Sequence, residues 1–293
     1  MNLIISAIAQ GLLWSIVSLG LFISFRVLNV ADMTTEGSYP LGAAVCVTLI
    51  QTGLNPFLAL IISVFAGMMA GAVTGFFITI CKIPSLLAGI LTMTALLSVN
   101  LRVMKRPNLS LLNYNTIFDI AVITKVSKYL NIIFVAIIIL IFLIVTIFWF
   151  FSTELGQALI ATGDNKKMAI SMGVSTDKMT VLGLMLANGM IALAGAILSQ
   201  NNGYADVNSG LGVIVIGLVA IIIGEIVFGK STFLMRLVYT VFGAIIYRLL
   251  LLMVLKINLI DANDFKMISA LLIAILLSLP RIKTIIKVRR EQK

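Results

Sequence analysis

Polar positions in this chain are few and grouped, so the apolar segments between them can be read directly. Uncharged runs cover residues 1–25, 37–81, 83–101, 129–153, 179–205 and 207–224. A membrane-spanning helix needs about 20 predominantly apolar residues, and most of these runs supply one. The run 37–81 is too long for a single helix and is interrupted at Gly53-Leu54-Asn55-Pro56, where Asn-Pro imposes a turn. It divides into a shorter segment near 39–53 and a full one near 57–80. Beyond Lys230 two further segments follow, at about 234–255 and 266–280. The pattern predicts an all-α integral membrane protein of about nine spans (eight to ten on the extremes), forming one transmembrane domain over residues 1–293.

Composition supports this reading and adds an orientation. Apolar residues make up 61% of the 293 and charged residues 11%, against about 45–50% and about 25% in soluble domains. The mean hydropathy of +1.16 leaves no stretch polar enough to fold alone in water. The net charge is +10, and Arg281, Lys283, Lys287, Arg289, Arg290 and Lys293 crowd the last thirteen positions against Glu291 alone. In a membrane protein this is the positive-inside signal rather than a nucleic-acid patch, and it puts a basic tail, 281–293, in the cytoplasm. Counting back, the loops at 154–178 and 229–233 are cytoplasmic and nine spans leave the N-terminus outside. The segment 102–128 then lies outside despite Arg102, Lys105, Arg106, Lys125 and Lys128. A re-entrant 83–101 would instead give eight spans and an N-terminus inside. Met1 to Phe25 carries no basic n-region or cleavage pattern and is expected to remain as the first span.

The chemistry-bearing patterns mostly argue against catalysis. Cys46 and Cys81 lie in apolar segments without metal-ligand spacing, and the chain has no histidine; neither a disulfide nor a metal site is expected. Gly224-Glu-Ile-Val-Phe-Gly229-Lys230-Ser231 matches the phosphate-loop pattern, but such a loop needs a strand, a turn and a helix in a soluble α/β domain, and here it ends a spanning run. The match is read as coincidence, and no nucleotide, metal or other cofactor is expected in this chain. Nothing resembles a nucleophile with its base, so an enzyme is not indicated. An ion-coupled secondary transporter is the alternative, with Asp32, Glu36, Glu225 and Arg248 as possible intramembrane charges, each of which could equally sit at an interface. Gly67, Gly71 and Gly75 recur every fourth residue and form a flat ridge for close helix packing, within the chain or against a second copy.

Two stretches are informative. Asn29-Val-Ala-Asp32-Met-Thr-Thr-Glu36-Gly-Ser-Tyr-Pro40-Leu-Gly42 is either a loop or a broken helix at membrane depth, and the latter is tolerated only inside protein or along a cavity. The short segment that follows favours the cavity. In 154–178, Gly163 ends one element, Asp164 or Asn165 can cap a short helix through Met172, Gly173 can terminate it, and Ser175 or Thr176 can cap the next span. The result is a short capped helix along the cytoplasmic face, suited to docking on a soluble partner.

At these stretches the sequence resembles the inner-membrane permeases of ATP-binding-cassette (ABC) importers, in the family that includes branched-chain amino-acid, ribose and nucleoside permeases. Leu28-Asn29-Val30-Ala31 through Glu36-Gly37 and Leu41-Gly42-Ala43 is similar to its N-terminal motif. Ile83-Pro84-Ser85-Leu86-Leu87-Ala88 with Leu91-Thr92-Met93-Thr94 is similar to its second, and Ala161-Thr162-Gly163-Asp164-Asn165 through Ala169 and Gly173-Val174, followed by Ala192 to Ala196, to its third. The resemblance implies a type II-like importer permease fold. It also implies a coupling element at Gly163, Asp164, Asn165, Lys166, Ala169 and Gly173 that meets the ATPase. A second permease copy, two cytoplasmic ATPase subunits that bind ATP and Mg, and an extracytoplasmic substrate-binding protein or lipoprotein are implied as partners, with the bacterial cytoplasmic membrane as location. Sugar permeases of the family usually begin with an extra span, absent here, and carry a glycine-rich segment where this chain has Ile223 to Lys230. The wording Ala31-Asp32-Met33-Thr34 and Glu36-Gly37-Ser38 is most similar to a branch associated with uptake of amino acids, aromatic ones among them. On this reading Asn29, Asp32, Glu36, Thr92, Thr94 and Asn100 line the substrate pathway.

Overall fold

The computed structural model describes residues 2–120, 128–229, 232–256 and 274. Helix α1 runs Asn2–Leu21 and widens over Phe22–Val27 into a π-turn, with the Leu28 N–H donating to the Ile23 carbonyl at 3.0 Å. There follow α2 (Thr35–Gln51), α3 (Pro56–Thr79), α4 (Ser85–Met104), strand β1 (Asn108–Ser110), α5 (Ile117–Ile120) and α6 (Lys128–Ser152). The remainder is α7 (Glu154–Asp164), α8 (Lys166–Ser171), α9 (Thr176–Asn202), β2 (Tyr204–Asp206), a 3-10 turn (Val207–Gly210), α10 (Val213–Phe228) and α11 (Phe233–Lys256). Among the described residues, seven helical stretches are long and apolar enough to cross a membrane. They comprise α1 with its π-turn, α3, α4, α6, α9, α10 with the turn before it, and α11. Helix α2, the short segment of the sequence pattern, is 17 residues long. Apart from Ala274, the expected span 266–280 and the basic tail lie outside the described residues, so the structure describes eight of the nine predicted segments.

Local chemistry sets most boundaries. Gly53 takes φ +90° after α2, and the Asn55 side chain accepts from the Phe57 N–H at 2.9 Å with Pro56 as the first residue of α3, so the Asn-Pro pair is a helix cap. The helices alternate in direction between two ends of the bundle. At one end meet the π-turn, the α3–α4 turn, α7 and α8, and the α10–α11 turn; at the other meet the two ends of the α2–α3 turn and an antiparallel ladder pairing Asn108 with Asp206 and Ser110 with Tyr204. Gln51 ties α2 to that ladder, donating to the Ser110 carbonyl at 2.7 Å.

Helix α9 is the centre. It carries buried residues along nearly its whole length, and α2 and α3 pack on it. Small residues make this possible: Gly42 of α2 lies against the backbone of Ala192, and Gly195 of α9 lies against the backbone carbonyl of Tyr39. Gly67, Gly71 and Gly75 pack on Asn188 and Ala192, on Leu184 and on Val181, so the glycine ridge of α3 faces α9 of the same chain. The phosphate-loop match falls on the last turns of α10, with Gly224 packed against the Tyr239 carbonyl of α11 and Gly224 to Phe228 helical rather than an open loop. Lys230 and Ser231 lie outside the described residues.

Candidate functional site

The polar break of the sequence is a chain segment folded inside the bundle. After the π-turn, Asn29 adopts φ +55°, a left-handed conformation that asparagine tolerates better than most residues. Residues Leu28 to Thr34 then reverse the chain into α2. Asp32 is fully buried. Its Oδ1 accepts the Thr34 N–H at 2.9 Å and its Oδ2 accepts from Asn188 Nδ2 of α9 at 2.6 Å. Asn188 in turn accepts from the Ser38 hydroxyl at 2.7 Å and donates to the Leu184 carbonyl at 3.0 Å. Beside this group the hydroxyls of Thr34 and Thr74 share a hydrogen bond of 2.6 Å, and Thr74 donates to Thr92 of α4 at 3.0 Å. A buried network of this kind holds the break to α3, α4 and α9 by directional contacts, because any group left unpaired there would retain its full desolvation cost.

The six residues expected along a pathway therefore separate into three settings. Asp32 and Thr92 belong to the buried network. Glu36, Thr94 and Asn100 line one small cavity of about 120 Å³ between α2, α4 and the turn ahead of α10. Asn29 joins neither: its amide donates to the Gly163 carbonyl at 3.3 Å, at the opposite side of the break. A larger cavity of about 540 Å³ between α3, α6 and α9 is walled only by apolar side chains, among them Phe57, Phe134 and Phe142. It offers no polar partner to a charged or polar solute.

Sequence reasoning missed Asn188 and Thr74, which complete the network. Both are lone polar residues inside apolar runs, and an amide within a spanning helix is itself a signal for a cross-helix hydrogen bond.

The second expected element is at the end of the bundle where the π-turn finishes. Thr153 caps α7, its hydroxyl accepting from the Gly156 N–H at 3.3 Å. Asn165, and not Asp164, caps α8, with its Oδ1 accepting the Met168 N–H at 3.1 Å. Gly173 at φ +82° ends α8, and the Val174 N–H returns to the Ala169 carbonyl at 3.0 Å. Ala169 is buried while Met168, Ile170 and Met172 are exposed, so this short helix turns apolar side chains outward. Lys166 and Lys82 both reach Asp177 at the start of α9, at 3.2 and 3.1 Å. Such exposed pairs contribute about 0–1 kcal/mol each and orient more than they stabilise. Gly163 lies directly against the backbone of Val27 and Leu28, which joins α7 to the polar break without an intervening side chain. Removing the α8 cap by Asn165→Ala is expected to destabilise that helix by about 1 kcal/mol, read as faster amide exchange across 166–172 with exchange in α9 unchanged.

Arg26 at the end of the π-turn pairs with Glu225 of α10, which also meets Arg236 of α11 at 3.4 Å. Arg248 of α11 stacks over the Trp14 ring, 4.8 Å from its centroid, and Trp14 stacks in turn on Tyr39. Glu225 and Arg248 are thus engaged within the chain, at a helix end and against an aromatic face.

With this geometry described, comparison with known proteins decides the family. Residues 3–278 match the model of the branched-chain amino acid transport system permease component. The chain belongs to this family. The permease is 35% identical over 273 residues to the tyrosine transport system permease protein of Clostridioides difficile (strain R20291), covering 93% of this chain and 90% of that one. It is 36% identical over 282 residues to an uncharacterized protein of Rickettsia prowazekii (strain Madrid E), covering 95% and 98%. Among solved structures it matches "An inward-facing conformation of a putative metal-chelate type ABC transporter" with a TM-score of 0.54 at 17% identity, over 96% of this chain and 85% of that chain. The permease thus has an ABC-transporter permease fold and crosses the membrane several times, in line with the expected architecture.

Proposed function

We propose that this permease is the membrane subunit of an ATP-driven importer in the bacterial cytoplasmic membrane. It works as a dimer with two cytoplasmic ATPase subunits and takes an amino acid from an extracytoplasmic binding protein. The observation that carries the reading is the direct seating of Gly163 on the polar break, combined with a capped α8 whose Met168, Ile170 and Met172 face outward. An apolar, exposed face on a short rigid helix at the end of a bundle suits docking to a soluble subunit. A push on it passes through α7 to the backbone of Val27 and Leu28, and from there into the break that holds Asp32 and leads to Glu36. The α8 end then lies in the cytoplasm, and the ladder end, with Asn2, outside. Alternating access follows when ATPase closure moves α7 and α8 against the break.

The named relative acting in tyrosine transport, together with the wording of the break, favours an aromatic amino acid as substrate. Purification from native membranes is expected to bring down a nucleotide-binding subunit, with ATP turnover that rises when binding protein loaded with tyrosine is added. A permease that purifies alone, and whose uptake follows an ion gradient when ATP is depleted, would replace this reading with the ion-coupled one.

A further inference from the structure

The small cavity beside the break has a mostly apolar wall into which a few polar side chains are set, Glu36, Thr94 and Asn100 among them. Asn100 is fully buried; its Nδ2 donates to the Gly37 carbonyl at 3.3 Å, which fixes the amide orientation, and its Oδ1 has no partner. Glu36 is half-buried, and its Oε1 accepts the Gly212 N–H at 3.0 Å where α10 begins. Among the described residues no donor reaches Oε2. The Thr94 hydroxyl spends its proton on the Leu91 carbonyl at 2.9 Å and so turns only lone pairs elsewhere. Among the described residues no lysine or arginine lines this space, whose remaining wall includes Pro40, Met93, Leu97 and Asn208. An unpaired buried acceptor costs about 1–3 kcal/mol, more for a charged one, so the arrangement is at its best with a donor-rich, positively charged occupant.

We infer that this cavity is a station for a primary ammonium group. Three N–H donors on one cationic centre match the three acceptor-bearing side chains, Glu36, Thr94 and Asn100. About 120 Å³ takes an ammonium with its α-carbon and is too small for a whole aromatic amino acid. The ring of an aromatic amino acid would stay outside, along the exposed side of α4 at Leu97. As a statement about the transported solute this rests on the amino-acid importer reading; as a statement about the cavity it rests on the acceptors alone.

The test measures the cavity without the ATPase. In the full chain, reconstituted in vesicles, Cys81 is exposed and is changed to serine, while the buried Cys46 is kept. Leu97→Cys then places a thiol in the cavity wall. A trimethylammonium-bearing methanethiosulfonate is expected to modify it at least tenfold faster than the sulfonate-bearing reagent, after division by their rates with a free thiol. Methylammonium, with three N–H donors, should slow the reaction, and tetramethylammonium, with none, should not. Glu36→Gln keeps the acceptor for Gly212 and replaces Oε2 by a donor, and it should bring the ratio back to unity with an unchanged elution volume.

Equal protection by both ammonium ions would reduce the site to a nonspecific cation well and overturn the inference. So would a ratio that ignores Glu36→Gln, or a thiol that reacts with neither reagent because this face meets lipid. Cation preference without any ATPase partner would instead leave the station standing and remove the importer reading.

Discussion

Gly163→Val is expected to lower uptake at least tenfold while leaving ATP hydrolysis by the assembled complex within about twofold. At Gly163 a β-carbon would run into the Val27 carbonyl and lie 2.9 Å from the Leu28 Cα. Both neighbours are backbone, in a π-turn and a left-handed bend that have little room to yield, so α7 must lift away from the break. Overpacking of this kind costs about 1–3 kcal/mol, which a bundle of this size can absorb, so the protein remains folded and the contact is lost. The Asn29 hydrogen bond to the Gly163 carbonyl goes with it. Uptake and hydrolysis measured side by side in proteoliposomes check the prediction. Normal uptake by the valine variant would mean that α7 and the break move independently and that the push proposed above travels another way.

Asn188→Leu should have the largest effect on stability. The substitution removes the donor to Asp32 Oδ2 and the acceptor for Ser38 in one step. It leaves the buried Asp32 side chain with its hydrogen bonds from Thr34. A buried polar group left without its hydrogen-bond partner costs about 1–3 kcal/mol, and here two are left at once, visible as a lower unfolding temperature in detergent. Asp32→Asn, which cannot carry a charge, should restore part of that loss when added to Asn188→Leu, and the double-mutant cycle should show coupling well above about 0.5 kcal/mol. Additive losses would show that the two side chains do not depend on each other.

What the sequence made legible was local. Asn55-Pro56, Asn165 and Gly173 announce caps and turns through their own backbone preferences, and the structure uses each in that way. Spacing of polar positions was enough to find the long spans, because lipid imposes a minimum apolar length. Pairings between distant segments were not legible. The β1–β2 ladder joins Leu109 to Ala205, and neither segment differs in composition from an ordinary loop. The run 207–224 reads as one span and is one, but the turn at Gly210–Gly212 inside it, which starts α10 beside Glu36, was not legible. Asn29 reads as a pathway residue by its place in the break, whereas its left-handed backbone sends its amide to Gly163. Such outcomes depend on which helix arrives next to which, and that is decided by packing across the bundle, the glycine contacts between α2, α3 and α9 included, rather than by any single segment.

Helix α2 also bears on how the protein is made. Seventeen residues give a helix about 25 Å long, shorter than the roughly 30 Å of a hydrocarbon core, and its first turns carry Glu36, Ser38 and Pro40. Such a segment has no favourable resting place in lipid by itself. Its partner α9 begins at Thr176, 125 residues after α2 ends at Gln51. During synthesis α1, α3, α4 and α6 emerge as segments able to enter the bilayer singly, while α2 waits for a berth that has not yet been translated. Seating α2 between α3, α4 and α9 is then a late act of assembly, and the break at Asn29–Thr34 is the slack that lets it happen.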